Sequence, residues 1–160
     1  MRERSKMNRK IIIEFSDSKI KISATLLDEE EPEQCDMFWE TLKTPLKMIC
    51  QHTLSTGDYF ATYGRPPKRP VKTGSQANPI GRKQWLLCQL EPGMLLYTGG
   101  NDMAVAYGPH ITEPLVGRGS VAAKVDKEDL DNLMKAGKGV WNAQYMTHRL
   151  VIMTVRRREK

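Results

Sequence analysis

The sequence is poor in residues that carry redox or metal chemistry. It has three cysteines, Cys35, Cys50 and Cys88, an odd number spaced too widely for a CxxC motif. This spacing argues against a redox pair or a zinc site of that kind, and we expect reduced thiols that pack as small apolar residues. The three histidines, at positions 52, 110 and 148, also lack the short spacing of a helical metal motif. We therefore predict no metal site and no cofactor.

Long apolar runs are missing as well. No stretch reaches the roughly 18 uncharged apolar residues that span a bilayer. The first ten residues, MRERSKMNRK, are basic, but only IIIEF follows before polar residues return. The apolar segment of a secretory signal is therefore absent, and we expect a cytoplasmic protein that does not cross a membrane.

Length and composition fit one folded domain. The chain has 160 residues, of which 39% are hydrophobic and 28% are charged, and a chain of this length can bury one core. We predict a basic tail at residues 1–9, a domain at 10–157 and a C-terminal tail at 158–160. Within the domain, residues 64–83 read GRPPKRPVKTGSQANPIGRK. This segment lacks an apolar period and predicts a long exposed loop, either a functional flap or a tolerated insertion.

Apolar alternation predicts that strands dominate the domain. KIIIEF and KIKISATLL form an opening hairpin around SDS, and LKMICQHTLSTGDYFATYG contains two further strands around a turn at 55–58. Later strands are predicted in QWLLCQL, MLLYTGG, DMAVAYG, GSVAAKV and HRLVIMTVRR.

Two short helices interrupt the strands. The first is predicted at 32–42, where Pro32 suits the first turn. The second is predicted at 127–136, with Asp126 as its cap and Gly137 or Gly139 as its stop. Many strands with two inserted helices favour a mainly β fold, a closed or nearly closed barrel.

The order of these elements resembles the cyclophilin-like β-barrel over residues 10–157. The segments LEPGMLLYTGG, MAVAYG and VWNAQYMTHRLVIMTV look like an uncharacterised bacterial family of small cyclophilin-like proteins. A prolyl isomerase carries an arginine before two aromatic residues and a glutamine, whereas the nearest segment here reads ICQHTLSTGDYF. Peptidyl-prolyl isomerase activity is therefore an alternative and not the preferred function.

A related barrel occurs in opine synthases of the cucumopine and mikimopine type, which join histidine to 2-oxoglutarate and close a ring by a Pictet–Spengler reaction. This more distant resemblance implies a cofactor-independent enzyme that acts on a carboxylate or amino-acid-derived substrate. Its most specific form is condensation of an amino acid with a 2-oxo acid. The alternative from another class is a non-catalytic module that binds a small molecule or nucleic acid. A homo-oligomer is compatible with each of these functions.

Imidazole is the side chain best matched to proton transfer near neutral pH. His52 lies on a predicted strand shortly before Asp58, and His110 follows the strand that ends in YGP at 107–109. We predict that His52 or His110 transfers a proton and that Asp58 orients the imidazole or a substrate amine. The alternatives are a His52 on the solvent face of its strand and a His110 that bonds a neighbouring carbonyl group.

Other side chains near the same turns and strand ends are predicted to bind substrate. If the long loop closes over the barrel, Arg65 and Arg82 could hold a carboxylate by paired hydrogen bonds. The remaining candidates are Gln51, Tyr59, Trp85, Tyr97, Tyr107 and Thr112. For the aromatic residues, burial in the core is the more common use.

The formal net charge of +6 raises the question of an anionic partner. Basic residues concentrate in the first ten residues, in the loop at 65–83 and in RRR at 156–158, which makes nucleic acid one candidate. The loop, however, lacks the interleaved aromatic residues of a platform for single strands. A solvated surface and a small-molecule carboxylate ligand are therefore preferred.

Overall fold

Eight antiparallel strands close into a barrel in the computed structural model, which describes residues 8–69 and 71–159. The strands are β1 (Lys10–Phe15), β2 (Lys21–Leu26), β3 (Leu46–His52), β4 (Gly57–Gly64), β5 (Met94–Gly99), β6 (Asp102–Ile111), β7 (Val121–Val125) and β8 (Ile152–Arg157). Around the barrel they follow the order β1, β2, β7, β5, β6, β4, β3 and β8, and β8 pairs with β1. The prediction of a mainly β, closed barrel with two helices is confirmed.

The barrel interior is filled by every second residue of the strands. In β1 the buried positions are Ile11, Ile13 and Phe15, as expected where side chains alternate between two faces. The rings of Phe15 and Phe60 meet edge to face with their centroids 6.2 Å apart. The opposite face of β5, β6 and β7 carries a second, smaller apolar cluster that contains Leu96, Ala104, Ala106 and Val121.

The predicted strand QWLLCQL is wrong. Residues Leu87–Gln89 form a short 3-10 turn, and Leu87 and Leu90 are buried in the outer cluster. Two leucines three positions apart reach the same surface from a helical turn, whereas a strand would need an even spacing. Most of the preceding residues 65–69 and 71–79 are exposed.

The two α-helices of the described residues close opposite ends of the barrel. They are α1 (Pro32–Thr41) and α2 (Leu130–Asn142). Because β2 and β7 are antiparallel neighbours, the chain leaves them at opposite ends, and α1 follows β2 whereas α2 follows β7. In the described part of the chain, no helix has the length and apolar character needed to cross a membrane.

Helix α2 differs from its predicted bounds of 127–136. Residues Lys127–Asp129 form a 3-10 turn, and the helix continues through both predicted stop glycines into a π turn at Ala143–Thr147. The reason lies in tertiary packing: a Cβ atom added to Gly137 would lie 2.2 Å from the ring of Tyr107. Gly137 therefore permits a close contact and does not end the helix.

The cysteines divide between core and surface. Cys35 and Cys50 are buried free thiols, and burial raises the pKa of each to about 12. Cys88 is exposed, so the expectation that all three pack in the core is wrong for this residue. It follows the buried Leu87 in the 3-10 turn and faces away from the outer cluster.

The two glycines of α2 allow a matched test of the contact with Tyr107. Gly137→Ala should destabilise the protein by about 1–3 kcal/mol, because the added methyl group overlaps a buried ring. Gly139→Ala should stabilise it by up to about 1 kcal/mol, because alanine is the better helix former and the nearest atom, Asp17 Oδ2, lies 3.4 Å from the added Cβ. Urea denaturation of both variants checks the opposite signs, and equal shifts would contradict the close contact.

Candidate active site

An open pocket of about 540 Å³ lies at the α2 end of the barrel. It is formed by the end of β3, the turn between β3 and β4, β6 and helix α2. The lining residues are His52, Leu54, Gly57, Asp58, Tyr107, Lys138, Trp141 and Asn142. Strand ends of a rigid barrel thus meet one face of a helix, an arrangement that holds polar groups at the edge of an apolar core.

The imidazole of His52 lies between a backbone carbonyl group and a phenol. Its Nδ1 is 2.7 Å from the carbonyl oxygen of Thr53, and its Nε2 is 2.7 Å from the hydroxyl oxygen of Tyr107. A carbonyl oxygen only accepts, so we assign the ring proton to Nδ1. The hydroxyl group of Tyr107 then donates to Nε2. Both residues are buried, with exposed fractions of 5% and 4%.

The surroundings keep this pair uncharged. Burial lowers the pKa of His52, and the opposing effects of the Thr53 carbonyl group and the negative charge of Asp58 are smaller. Burial also raises the pKa of Tyr107 to about 12, and Asp58 adds to this shift. The resting state is therefore a neutral imidazole that accepts a hydrogen bond from a protonated phenol. Asp58 favours the imidazolium that would form if His52 took up a proton.

Asp58 reaches the pocket through an irregularity in the sheet. The pairing of β4 with β6 shifts register between Gly57 and Tyr59, and the Oδ2 atom of Asp58 accepts a hydrogen bond from the backbone N–H of His110 at 3.2 Å. Gly57 has a φ of 111°, and a Cβ there would lie 1.9 Å from the carbonyl oxygen of His110. Only glycine fits this conformation and this close approach.

Helix α2 contributes the outer wall of the pocket. Lys138, Trp141 and Asn142 are three and four residues apart, so they share one face of the helix. Trp141 is 42% exposed, and its ring centroid lies 5.5 Å from that of Tyr145. The pocket therefore combines a cation and an aromatic surface on the helix with a carboxylate on the barrel.

The sequence-based prediction missed the three residues on α2 because it ended this helix too early. A usable signal was present: Leu133, Ala136 and Val140 are buried at helical spacing, and this period continues past Gly137. Following the apolar period would have placed Lys138 and Trp141 on the helix.

The predicted aromatic ligand-binding residues divide between the pocket and the core. Tyr107 lines the pocket, whereas Tyr97 lies at the α1 end, where its ring stacks on Phe38 at a centroid distance of 4.8 Å. The hydroxyl group of Tyr97 donates to a backbone carbonyl oxygen at 2.7 Å. Tyr59 and Trp85 pack against the outer apolar cluster. The pocket therefore contains only Tyr107 of these four residues.

The structure does not bring Arg65 or Arg82 to the histidines. Strand β4 begins at the pocket and Arg65 follows its other end, and at about 3.3 Å per residue the strand spans roughly 23 Å. The guanidinium group of Arg82 pairs with Glu33 of α1 at 2.9 Å. Both arginines thus lie at the end of the barrel that α1 closes.

The remaining candidates lie around the pocket but outside it. Gln51 is exposed because side chains alternate along β3 and His52 takes the inner face, so the alternative of a solvent-facing His52 is not observed. His110 and Thr112 are exposed near the end of β6. Of the predicted site residues, the structure brings together His52, Asp58 and Tyr107. Within residues 8–69 and 71–159, no group of three or more His, Cys, Asp or Glu side chains is placed to hold a metal ion.

A solved structure shares this fold over nearly the whole chain. The structure of McbB in complex with tryptophan matches with a TM-score of 0.78 and 26% identity, covering 94% of this chain and 45% of the McbB chain. The chain therefore spans less than half the length of McbB. The likeness supports a relationship to the cyclophilin-like barrels.

The solution structure of the hypothetical protein AF2241 from Archaeoglobus fulgidus has a TM-score of 0.49 and 15% identity, covering 99% of this chain and 100% of that one. No protein-family model matches the chain, and no curated protein matches it significantly.

The lowered pKa of His52 predicts how stability depends on pH. Because its pKa in the folded state lies below the ordinary value of 6.5, the unfolded chain binds this proton more tightly. Above the unfolded-state pKa of His52, the imidazole is neutral in both states and does not affect stability. Stability falls as the pH decreases from 6.5 towards the lower pKa of the folded state.

His52→Gln should remove this contribution. Between about pH 7.5 and about pH 5.5, the free energy of unfolding should fall more steeply for the parent protein than for the variant. Urea denaturation at both pH values checks the difference, and parallel decreases would show that His52 is not held neutral by burial.

Proposed function

We propose that this protein is a cofactor-independent enzyme that transfers protons on an amino-acid-derived substrate bound in the α2 pocket. The observation that carries the proposal is the buried hydrogen-bonded pair of His52 and Tyr107 at the edge of an open pocket that also contains Asp58. In its most specific form, the reaction is a Pictet–Spengler condensation of an amino acid with a 2-oxo acid.

The charges of the pocket suit an α-amino acid. The ammonium group of Lys138 attracts a carboxylate, the carboxylate group of Asp58 attracts an ammonium group, and Trp141 offers a face to an aromatic side chain. The complex of McbB with tryptophan supports this class of ligand. Tryptophan and histidine both carry an amine two carbons from an electron-rich ring, which is what this cyclisation requires.

The reaction needs proton transfers at three points. A substrate ammonium group loses a proton, and the free amine adds to the ketone carbon of the 2-oxo acid. The carbinolamine then loses water, which needs a proton on the departing hydroxyl group. The aromatic ring attacks the resulting iminium carbon, forming a carbon–carbon bond, and loses a ring proton to regain aromaticity. The products are the cyclised amino acid and one water molecule.

The pocket offers Asp58 for the first two transfers and a relay for the last. Asp58 can accept the ammonium proton directly. The oxygen atom of Tyr107 can accept a ring proton while its own proton moves to Nε2 of His52, because that hydrogen bond is already formed at 2.7 Å. Before this step, Asp58 returns the ammonium proton to the departing hydroxyl group, and after it the imidazolium of His52 passes the ring proton to the product amine or to water. Near Asp58, the imidazolium intermediate is stabilised during this exchange.

Incubating the protein with aromatic amino acids and 2-oxo acids tests the proposed reaction. Mass spectrometry should detect a product with the summed mass of both substrates less one water molecule. Tyr107→Phe and His52→Gln should each lower kcat by about 100- to 10,000-fold, the usual contribution of a general acid or base. Tyr97→Phe is the matched control, because it removes a buried hydroxyl group at the other end of the barrel.

Two results would contradict the proposal, the first its mechanism and the second its claim of catalysis. One is full turnover in both pocket variants, which would remove the pair from the mechanism. The other is saturable binding of an amino acid with no condensation product for any 2-oxo acid, which would favour the non-catalytic binding module.

The role of Lys138 can be separated from proton transfer. Lys138→Met should raise KM for the amino acid by about tenfold with little change in kcat, because it removes one charge-assisted hydrogen bond to the carboxylate. Lys135→Met changes an exposed lysine of the same helix that does not line the pocket, so its KM should stay at the parental value. Steady-state kinetics of both variants checks this prediction, and an equal KM for the two would assign the carboxylate to another group.

A further inference from the structure

The backbone of His52 lies where β8 stops pairing with β3. The ladder between β3 and β8 covers residues 46–49, and one further hydrogen bond joins the N–H of Cys50 to the carbonyl oxygen of Val151 at 3.0 Å. In an antiparallel strand the N–H and C=O groups of one residue point to the same neighbour, and alternate residues share that neighbour. Both backbone groups of His52 therefore point to the side that β8 has left.

The side-chain amide of Gln144 occupies the place of the missing strand. Its Oε1 accepts a hydrogen bond from the N–H of His52 at 2.7 Å, and its Nε2 donates to the carbonyl oxygen of His52 at 3.2 Å. This two-bond exchange is the one that a residue of a paired strand would make. The hydroxyl group of Tyr145 donates to the same carbonyl oxygen at 2.8 Å.

Gln144 and Tyr145 belong to the π turn that follows α2. This turn is closed by a backbone hydrogen bond. The turn ends at His148, whose φ of 56° is left-handed, as is common where a helix terminates. The N–H of Arg149 donates to the carbonyl oxygen of Ala143 at 2.8 Å and closes the turn. Single π turns recur near functional sites because the wider turn redirects side chains.

We propose that Gln144 is a positioning residue for the proton-transfer pair: its amide holds the backbone of His52 so that the imidazole meets the hydroxyl group of Tyr107. Gln144 acts through the backbone of His52 and not on the substrate. The imidazole spans a short path from the carbonyl oxygen of the adjacent Thr53 to the hydroxyl group of Tyr107. A shift of the backbone at residue 52 therefore changes both of these hydrogen bonds. The effect on turnover rests on the proposed function, whereas the effect on the imidazole does not.

Gln144→Met tests this inference, because methionine has a similar length and no amide. Nitrogen-15 NMR of the histidine rings at neutral pH should show His52 of the parent protein with its proton on Nδ1, and the variant with a mixture of both tautomers. The variant should lose about tenfold to a hundredfold in kcat, as small displacements of catalytic groups do, with KM within about twofold. Gln84→Met makes the same change at an exposed glutamine and should alter neither quantity.

Gln144→Glu provides the second variant. Its carboxylate group can still accept the hydrogen bond from the N–H of His52, but its second oxygen atom faces the carbonyl oxygen of His52 with no proton to donate, so the parental tautomer ratio and kcat should again be lost. It decides the question if the methionine variant does not fold. A parental tautomer ratio in the folded variants would overturn the inference. If the parent protein produces no condensation product, the proposed function fails and the ring-nitrogen spectra alone decide the role of Gln144.

Discussion

Helix α2 approaches the barrel so closely at Gly137 that the ring of Tyr107 occupies the space of a side chain. The same phenol lines the pocket and is hydrogen-bonded to His52. The contact also fixes the rotation of the helix, and therefore places Lys138 and Trp141 at the pocket. The end of the same helix supplies the amide that supports the backbone of His52. One glycine thus permits the packing on which the pocket and the hydrogen-bonded pair of His52 and Tyr107 depend.

The pKa shifts of His52 and Tyr107 follow from the burial that this packing creates. A charged imidazole is unfavourable where little water reaches it, so burial outweighs the attraction of Asp58 and the pKa of His52 is lowered. The phenol responds to the same burial by keeping its proton. A neutral base that is hydrogen-bonded to a neutral acid can exchange a proton with it when a substrate brings charge or a proton into the pocket. Asp58 lies at the register shift where β6 carries the extra residues, and its negative charge favours a protonated His52.

Alternation identified most strands because packing against one core leaves a period of two, as in Ile11, Ile13 and Phe15. The same reasoning located His52 and Asp58 near one turn. This reasoning failed where the local structure depends on residues that are distant in the sequence. Whether Gly137 ends a helix or admits an aromatic ring is decided by Tyr107, which is remote in the sequence. Likewise, the leucines of the 3-10 turn lie on an outer cluster that exists only after the barrel closes.

Tyr97 and Tyr107 show why burial of an aromatic residue does not by itself define its role. Both point into the barrel and lie at opposite ends, and both hydroxyl groups donate hydrogen bonds of 2.7 Å. The hydroxyl group of Tyr97 donates to a backbone carbonyl oxygen, which cannot take up a proton near neutral pH, so this bond serves packing alone. The hydroxyl group of Tyr107 donates to an imidazole nitrogen, which can. The chemical difference between the two ends of the barrel is therefore set by the acceptor, and the acceptor at the α2 end is the one that an amide from the π turn holds in place.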